Sequence, residues 1–74
     1  MRKVELLESV YQEIEEEFVA WLRQHNIRYS IFNKGEYLRT SVGRTWRIYQ
    51  IDVTNDHSGT IAECVKKKLQ ELEP

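Results

Sequence analysis

At 74 residues the chain has room for one domain, and 41% hydrophobic residues with three glycines and one proline exclude a disordered tail. A lone cysteine excludes a disulfide framework, and the sequence shows neither a Cys/His metal cluster nor a signal peptide nor the ~20 apolar residues of a membrane span. The net charge of −1 conceals a division: residues 1–26 hold three cations and six acids, residues 27–54 five and two, and residues 55–74 three and four. We therefore expect one cytoplasmic domain, residues 1–74, with an acidic start and a basic middle.

The beginning of the chain has the periodicity of an amphipathic helix. Apolar residues recur there at three- and four-residue steps, which predicts a first helix from about Val4 to His25. Asn26 suits the left-handed position that ends a helix. The carboxylates of Glu13, Glu15, Glu16 and Glu17 are then expected to form a solvated face, with docking on a basic partner as the alternative. The apolar stripe comprises Val4, Leu7, Tyr11, Ile14, Phe18, Trp21 and Leu22.

Three strands are predicted next, separated by a loop over residues 33–36 and a two-residue hairpin turn at Gly43 and Arg44. Alternation gives them an apolar face, on which the helices should pack, and a polar face left open. Ile51 and Val53 break this alternation, so we expect a bulge or change of phase near Tyr49 or Gln50, or burial of that end on both faces. The apolar face would carry Ile27, Tyr29, Ile31, Leu38, Val42, Trp46 and Ile48, and the polar face Arg28, Ser30, Phe32, Tyr37, Arg39, Ser41, Thr45, Arg47 and Tyr49.

A second helix is predicted from about Thr60 to Leu72. Thr60 and Glu63 fit a capping box, with Ser58 or Asp56 as competing caps. Its apolar stripe comprises Ile61, Cys64 or Val65, Leu69 or Lys68, and Leu72. The predicted fold is α+β: a two-layer αβββα domain, with a three-stranded antiparallel meander and both helices packed on one face.

The open, basic and aromatic sheet face is the candidate site. Rings that stack on bases and guanidinium groups that contact phosphates are typical of nucleic-acid platforms, so we predict a non-catalytic RNA- or DNA-binding protein. The alternative is a protein-binding regulator or inhibitor module that forms a homodimer or docks on another protein through the same face. No catalytic residue, metal or cofactor is predicted. The candidate residues are Arg28, Phe32, Lys34, Tyr37, Arg39, Arg44, Arg47 and Tyr49.

Residues 21–72 resemble the HicA toxins of bacterial toxin–antitoxin modules, and the predicted element order resembles double-stranded-RNA-binding domains. The likeness to HicA is carried by the helix end at residues 22–26, Lys34-Gly35 at a turn and Gly59-Thr60-Ile61 at the start of the last helix. It implies the αβββα topology. HicA proteins have a catalytic histidine just after the turn glycine, where this chain has Glu36 and Tyr37, so the resemblance does not extend to ribonuclease activity.

Overall fold

The computed structural model describes residues 5–56 and 58–73, which form an α+β fold with two helices and a four-stranded antiparallel sheet. The predicted α+β class is confirmed, whereas the predicted αβββα order is wrong because a strand precedes the first helix. In chain order the elements are β1 (Glu5–Tyr11), α1 (Gln12–Gln24), β2 (Tyr29–Ile31), β3 (Leu38–Arg39), β4 (Thr45–Asp52) and α2 (Thr60–Leu72).

Strand β1 occupies the segment that helical periodicity assigned to the first two turns of a helix. It pairs with β4 without interruption from Glu5 opposite Asp52 to Tyr11 opposite Trp46. This pairing gives backbone hydrogen-bond partners to one edge of β4, which a helix over the same residues would leave unpaired. It also buries Val10 completely and leaves Leu7, which the helix would have placed in its apolar stripe, 56% exposed.

Strand β4 lies at the centre of the sheet, with β1 on one side and both β2 and β3 on the other. The predicted meander is therefore wrong, because β2 and β3 do not pair with each other. Both run antiparallel to β4, one after the other along the same edge, and residues 32–37 join them. The chain takes seven steps from Ile31 to Leu38, whereas their partners Tyr49 and Trp46 are only three residues apart on β4. The connection therefore carries four more residues than a continuous strand would, and it includes a 3₁₀ turn at Asn33–Gly35.

The turn between β3 and β4 is longer than predicted. The amide of Thr40 donates to the carbonyl of Arg44 and the amide of Gly43 donates to the carbonyl of Thr40, so three residues form the loop. Gly43, at φ 82°, is the third of them and takes the left-handed conformation that such loops require. Leu38 still shares a face with Trp46, and Arg39 with Thr45, as the alternation predicted. The difference lies between β2 and the other two strands, because Tyr29 and Ile31 share a face with Ile51 and Tyr49 and not with Trp46.

Both helix ends follow from local chemistry. Asn26 has φ 56°, and the amide of Ile27 donates to the carbonyl of Leu22 at 2.9 Å, which confirms the predicted left-handed end of α1. Helix α2 has the predicted bounds, but Thr60 and Glu63 form no capping box. Instead Asp56 accepts a hydrogen bond from the amide of Ala62 at 3.0 Å.

One core lies between the helices and one face of the sheet. Val10, Tyr49 and Ile51 share that face, here called the helix face, because they lie on the same side in the β1–β4 register. Helix α2 contributes Val65 and Leu69, whereas Cys64 is exposed. Both helices therefore pack on the helix face, and the opposite face, here called the outer face, carries the alternate residues. Helix α1 contributes Ile14, Phe18 and Leu22.

Candidate functional site

The structure divides the eight predicted site residues between the two faces of the sheet. Arg28 and Phe32 lie on the outer face as predicted, and Arg44 lies on the same side, with its guanidinium carbon 5.2 Å from the centre of the Tyr11 ring. Lys34 lies in the exposed 3₁₀ turn, and the remaining four lie on the helix face. A single basic aromatic surface is therefore not formed. Those four residues are Tyr37, Arg39, Arg47 and Tyr49.

Tyr49 and Arg47 contradict the predicted open face most clearly. Tyr49 is 1% exposed and packs edge-to-face against Phe18 with ring centroids 5.8 Å apart. Because β4 alternates without a bulge in its pairing with β1, Arg47, Tyr49 and Ile51 all face the helices. The predicted change of phase near Tyr49 is wrong. Alternation continues through the whole strand, so the residues on the same side as Ile51, including Arg47, face the helices.

Arg47 and Tyr49 instead meet a carboxylate of α1. The Tyr49 hydroxyl donates to Oε2 of Glu15 at 2.8 Å, and the Arg47 guanidinium donates to the same oxygen at 2.9 Å. The Tyr37 hydroxyl donates to Oε1 at 2.6 Å. Arg47 also donates through Nε to the carbonyl of Gly35 at 2.6 Å, and its guanidinium lies 3.6 Å from the centre of the Tyr37 ring. We call Glu15, Tyr37, Arg47 and Tyr49 the Glu15 cluster.

The cluster shifts the ionisation of its members in directions that keep it intact near neutral pH. Burial acts to raise the pKa of Glu15, but the hydrogen bonds from Tyr37, Tyr49 and Arg47 outweigh burial and hold this pKa below its usual value. Burial, followed by the hydrogen bond to the Glu15 carboxylate, raises the pKa of Tyr49. The same carboxylate raises the pKa of Tyr37. Glu15 therefore stays an anion and both phenols stay neutral donors.

A groove of about 680 Å³ runs beside the cluster, between α1 and the edge formed by β2 and Tyr37. The Glu15 carboxylate already accepts three hydrogen bonds there, and Arg47 is held by a carboxylate, a carbonyl and a ring. Groups this fully engaged hold structure together more readily than they bind a ligand. The arrangement ties α1 to the loop after β2, and we assign it a structural role.

The outer face matches neither of the two predicted faces. Its apolar side chains point away from the helices, whereas the predicted apolar layer packs on them, and it lacks most of the cations of the predicted basic face. Across the sheet its side chains form four rows, and the two rows nearest the β3–β4 turn carry apolar side chains and Ser9 without any charge. Leu7 and Phe32 are 56% and 46% exposed. In order, the rows contain Arg28, Asp52 and Glu5; Ser30, Gln50 and Leu7; Phe32, Ile48 and Ser9; and Leu38, Trp46 and Tyr11.

Trp46 has an unusual feature within this face. Its indole Nε1 is buried and has no hydrogen-bond partner in the part of the chain that the structure describes. Buried indole donors are normally paired, and an unpaired one costs free energy. Within the described residues, the outer face therefore holds a buried hydrogen-bond donor that lacks an acceptor.

The prediction that the glutamate run is a solvated face is wrong for Glu15, which accepts from Tyr37, Arg47 and Tyr49. The apolar residues of the outer face were not predicted as a site. Helical spacing offered a signal for Glu15: at about 100° per residue it lies roughly 60° from the middle of the Ile14, Phe18 and Leu22 stripe, nearer than Glu13, Glu16 or Glu17. For the outer face the signal was the pair Ile51 and Val53. Their burial requires Trp46 and Ile48 to face outward.

Within residues 5–56 and 58–73 no group of three or more His, Cys, Asp or Glu side chains is arranged to hold a metal ion, and no helix has the length and apolarity to cross a bilayer. The HicA-like resemblance stays a prediction. Comparisons with models of protein families, with curated proteins and with solved structures find no match for this chain.

Proposed function

We propose that this chain is a small non-catalytic protein-binding module that docks on a protein partner through the outer face of its sheet. The observation that carries the proposal is the apolar side chains of the two uncharged rows, where Phe32 is exposed and Tyr11, Leu38, Trp46 and Ile48 are half-buried, with the exposed Leu7 beside them. An exposed apolar patch on an otherwise polar small domain is typical of a protein interface. A protein-binding module is the alternative that the sequence left open, but the sequence placed its contact on the basic aromatic face with Tyr37 and Tyr49. Both of these residues lie on the helix face, so the proposal moves the docking surface to the outer face.

The position of the patch supports docking over chance exposure. Trp46 and Ile48 lie on the central strand, so they form the middle of a face and not its margin. Interfaces concentrate aromatic residues in an apolar centre with charges at the rim, and here Tyr11, Trp46 and Phe32 surround Ile48 while charged side chains lie beyond. A domain of this length buries only about 60% of its unfolded surface, so covering the patch would also add stability.

The distribution of cations favours protein over nucleic acid as the partner. Arg28 and Arg44 lie at opposite ends of the outer face, with the uncharged rows between them. Arg39 and Arg47 lie on the helix face, where Arg47 pairs with Glu15. A backbone-tracking groove needs cations along one path. Nucleic-acid binding, the lack of a cofactor and a cytoplasmic location stay predictions.

Site-specific photo-crosslinking tests the proposal. A benzophenone amino acid replaces Phe32, on the outer face, and in a matched control replaces Val42, which is 75% exposed in the β3–β4 turn. In cells that make the chain naturally, we expect a discrete protein adduct from position 32 that is absent from position 42 and is lost when Leu38 is changed to Lys. Equal adducts from both positions would contradict the proposal, and an adduct sensitive to nuclease would support the nucleic-acid prediction.

A further inference from the structure

We propose that the protein partner is a second copy of this chain, packed face to face on the outer face across a two-fold axis that passes near Ile48 and lies perpendicular to β4. The inference rests on the proposed function, because it names the partner of the same face. It uses the order of the rows, which the register of β4 with its three neighbours fixes.

Two-fold symmetry requires a surface to be complementary to itself. Like charges on the axis would repel, but the row at Ile48 contains only Phe32, Ile48 and Ser9. An axis through this row places Ile48 against Ile48 of the second copy, and Phe32 against its own equivalent. The centre of the contact is thereby apolar and free of charge, as the core of an interface should be.

Rows equally far from the axis face each other in this arrangement. The row of Tyr11 and Trp46 lies opposite the row of Leu7 and Gln50 of the second copy. Tyr11 then covers Leu7, the most exposed apolar side chain of the sheet. Trp46 lies opposite Gln50, whose amide oxygen accepts from the Ser30 hydroxyl at 2.9 Å and has a second lone pair. A rotation of the indole would give its unpaired Nε1 this acceptor.

Charges along the line of β4 favour an axis perpendicular to the strands. Arg44 lies one row beyond Trp46, and the row of Arg28, Asp52 and Glu5 lies two rows on the other side of Ile48. An axis perpendicular to the strands therefore places Arg44 opposite Asp52 of the second copy. An axis parallel to the strands would bring Arg28 opposite Glu5, but it would also place Arg44 against Arg44 and Asp52 against Asp52, which costs free energy.

The size of the face sets the strength to expect. Eight residues of β4 span roughly 26 Å, and three strands spaced about 4.8 Å apart give a face roughly 15 Å wide with side chains. The footprint is then about 400 Å² per copy, half of that in a standard interface. We therefore expect a weak dimer with a dissociation constant in the range of roughly 10–100 µM.

Analytical ultracentrifugation of the purified chain from about 5 to 500 µM tests the inference. We expect a monomer–dimer equilibrium that Ile48→Lys weakens at least about ten-fold, because two ammonium groups would then meet at the axis. Val42→Lys, which adds the same charge outside the face, should leave the dissociation constant within about two-fold. Phe32→Lys repeats the test at a more exposed position, in case Ile48→Lys disturbs folding, which circular dichroism would show.

A charge exchange tests the orientation. Arg44→Glu and Asp52→Lys should each weaken the dimer, and the double variant should recover most of the loss. A chain that stays monomeric at about 500 µM, or a dimer indifferent to Ile48→Lys and Phe32→Lys, would overturn the inference. In the first case, an adduct of a different protein at position 32 would leave the proposed function standing, whereas the absence of any adduct there would end both.

Discussion

Replacing Glu15 with Ala removes the acceptor shared by three donors and should destabilise the fold more than any other single change on the surface of α1. The Tyr49 hydroxyl, the Tyr37 hydroxyl and the Arg47 guanidinium all donate to this carboxylate at 2.6–2.9 Å. The change leaves a phenol and a guanidinium partly enclosed without their acceptor. It also frees the tie between α1 and the loop that follows β2.

The contributions differ because the donors differ in exposure. Tyr49 is 1% exposed, so loss of its acceptor costs about 1–3 kcal/mol. The Arg47 side chain is 25% exposed, which limits its ion pair to about 1 kcal/mol, and Tyr37 at 37% adds less than about 1 kcal/mol. Together we expect a loss of about 2–4 kcal/mol. For a chain of this length, whose unfolding free energy is about 4–11 kcal/mol, that lowers Tm by roughly 10–25 °C.

Urea unfolding at pH 7, followed by tryptophan fluorescence, measures this loss. Glu17→Ala is the matched control, because it removes an exposed glutamate from the same helix and should stay within about 0.5 kcal/mol of the wild type. Glu15→Gln, which keeps the shape and one acceptor oxygen, should fall between the two. If Glu15→Ala unfolded at the same urea concentration as Glu17→Ala, the cluster would contribute nothing to stability and our account of it would be wrong.

Three further outcomes are expected. The pKa of Glu15 is lower in the folded than in the unfolded chain, so its stabilisation is complete above the unfolded pKa of about 4.3 and is lost as the pH falls through the folded pKa. Urea titrations at pH 7 and pH 3 should therefore show that the difference in unfolding free energy between wild type and Glu15→Gln is smaller at pH 3. Asp56→Ala should lower Tm in a thermal melt while Asp56→Asn keeps most of it, because an amide oxygen still accepts from the amide of Ala62 at the start of α2; equal losses would show that charge alone matters. Val10→Ala should cost about 2 kcal/mol and Leu7→Ala under about 1 kcal/mol at low micromolar concentration, and the reverse order would favour a helix over β1.

The parts of the fold that local chemistry determines were predictable from the sequence. Helix α2 has the predicted bounds, and Asn26 ends α1 in the left-handed conformation. The alternation within β2 was assigned to the correct faces, with Tyr29 toward the helices and Ser30 away. In each case the determining contacts lie within a few residues along the chain, so a short sequence pattern carries the necessary information.

The parts that depend on distant pairing were predicted wrongly. Residues 5–11 satisfy helical spacing at Leu7 and Tyr11. As a strand they place Leu6 and Val10 on one face, although Glu8 lies between them, and only the free edge of β4 some forty residues later selects the strand. Likewise, the pairing of β2 with the Ile51 end of β4 and the four extra residues after β2 turn β3 and β4 over together relative to the faces predicted for them. Neither choice is visible in a local window.

Each strand can turn either of its two sets of alternate side chains toward the helices, and this choice in β4 decides which side chains remain on the outer face. Two energetic contributions favour the observed choice. The opposite phase would bury Trp46 and Ile48 but would also place Gln50 and Asp52 under the helices, where an amide and a carboxylate are costly.

The observed phase buries Ile51 and Val53 instead, at the cost of covering Arg47. Glu15 offsets that cost, since it lies at the margin of the α1 stripe where it accepts from Arg47 and Tyr49 together. One carboxylate on α1 thus stabilises the phase in which the cationic and phenolic side chains turn inward and the apolar ones turn outward. On this reasoning, the apolar character of the outer face, through which we propose that the chain docks, is a consequence of the Glu15 cluster on the other side of the same strand.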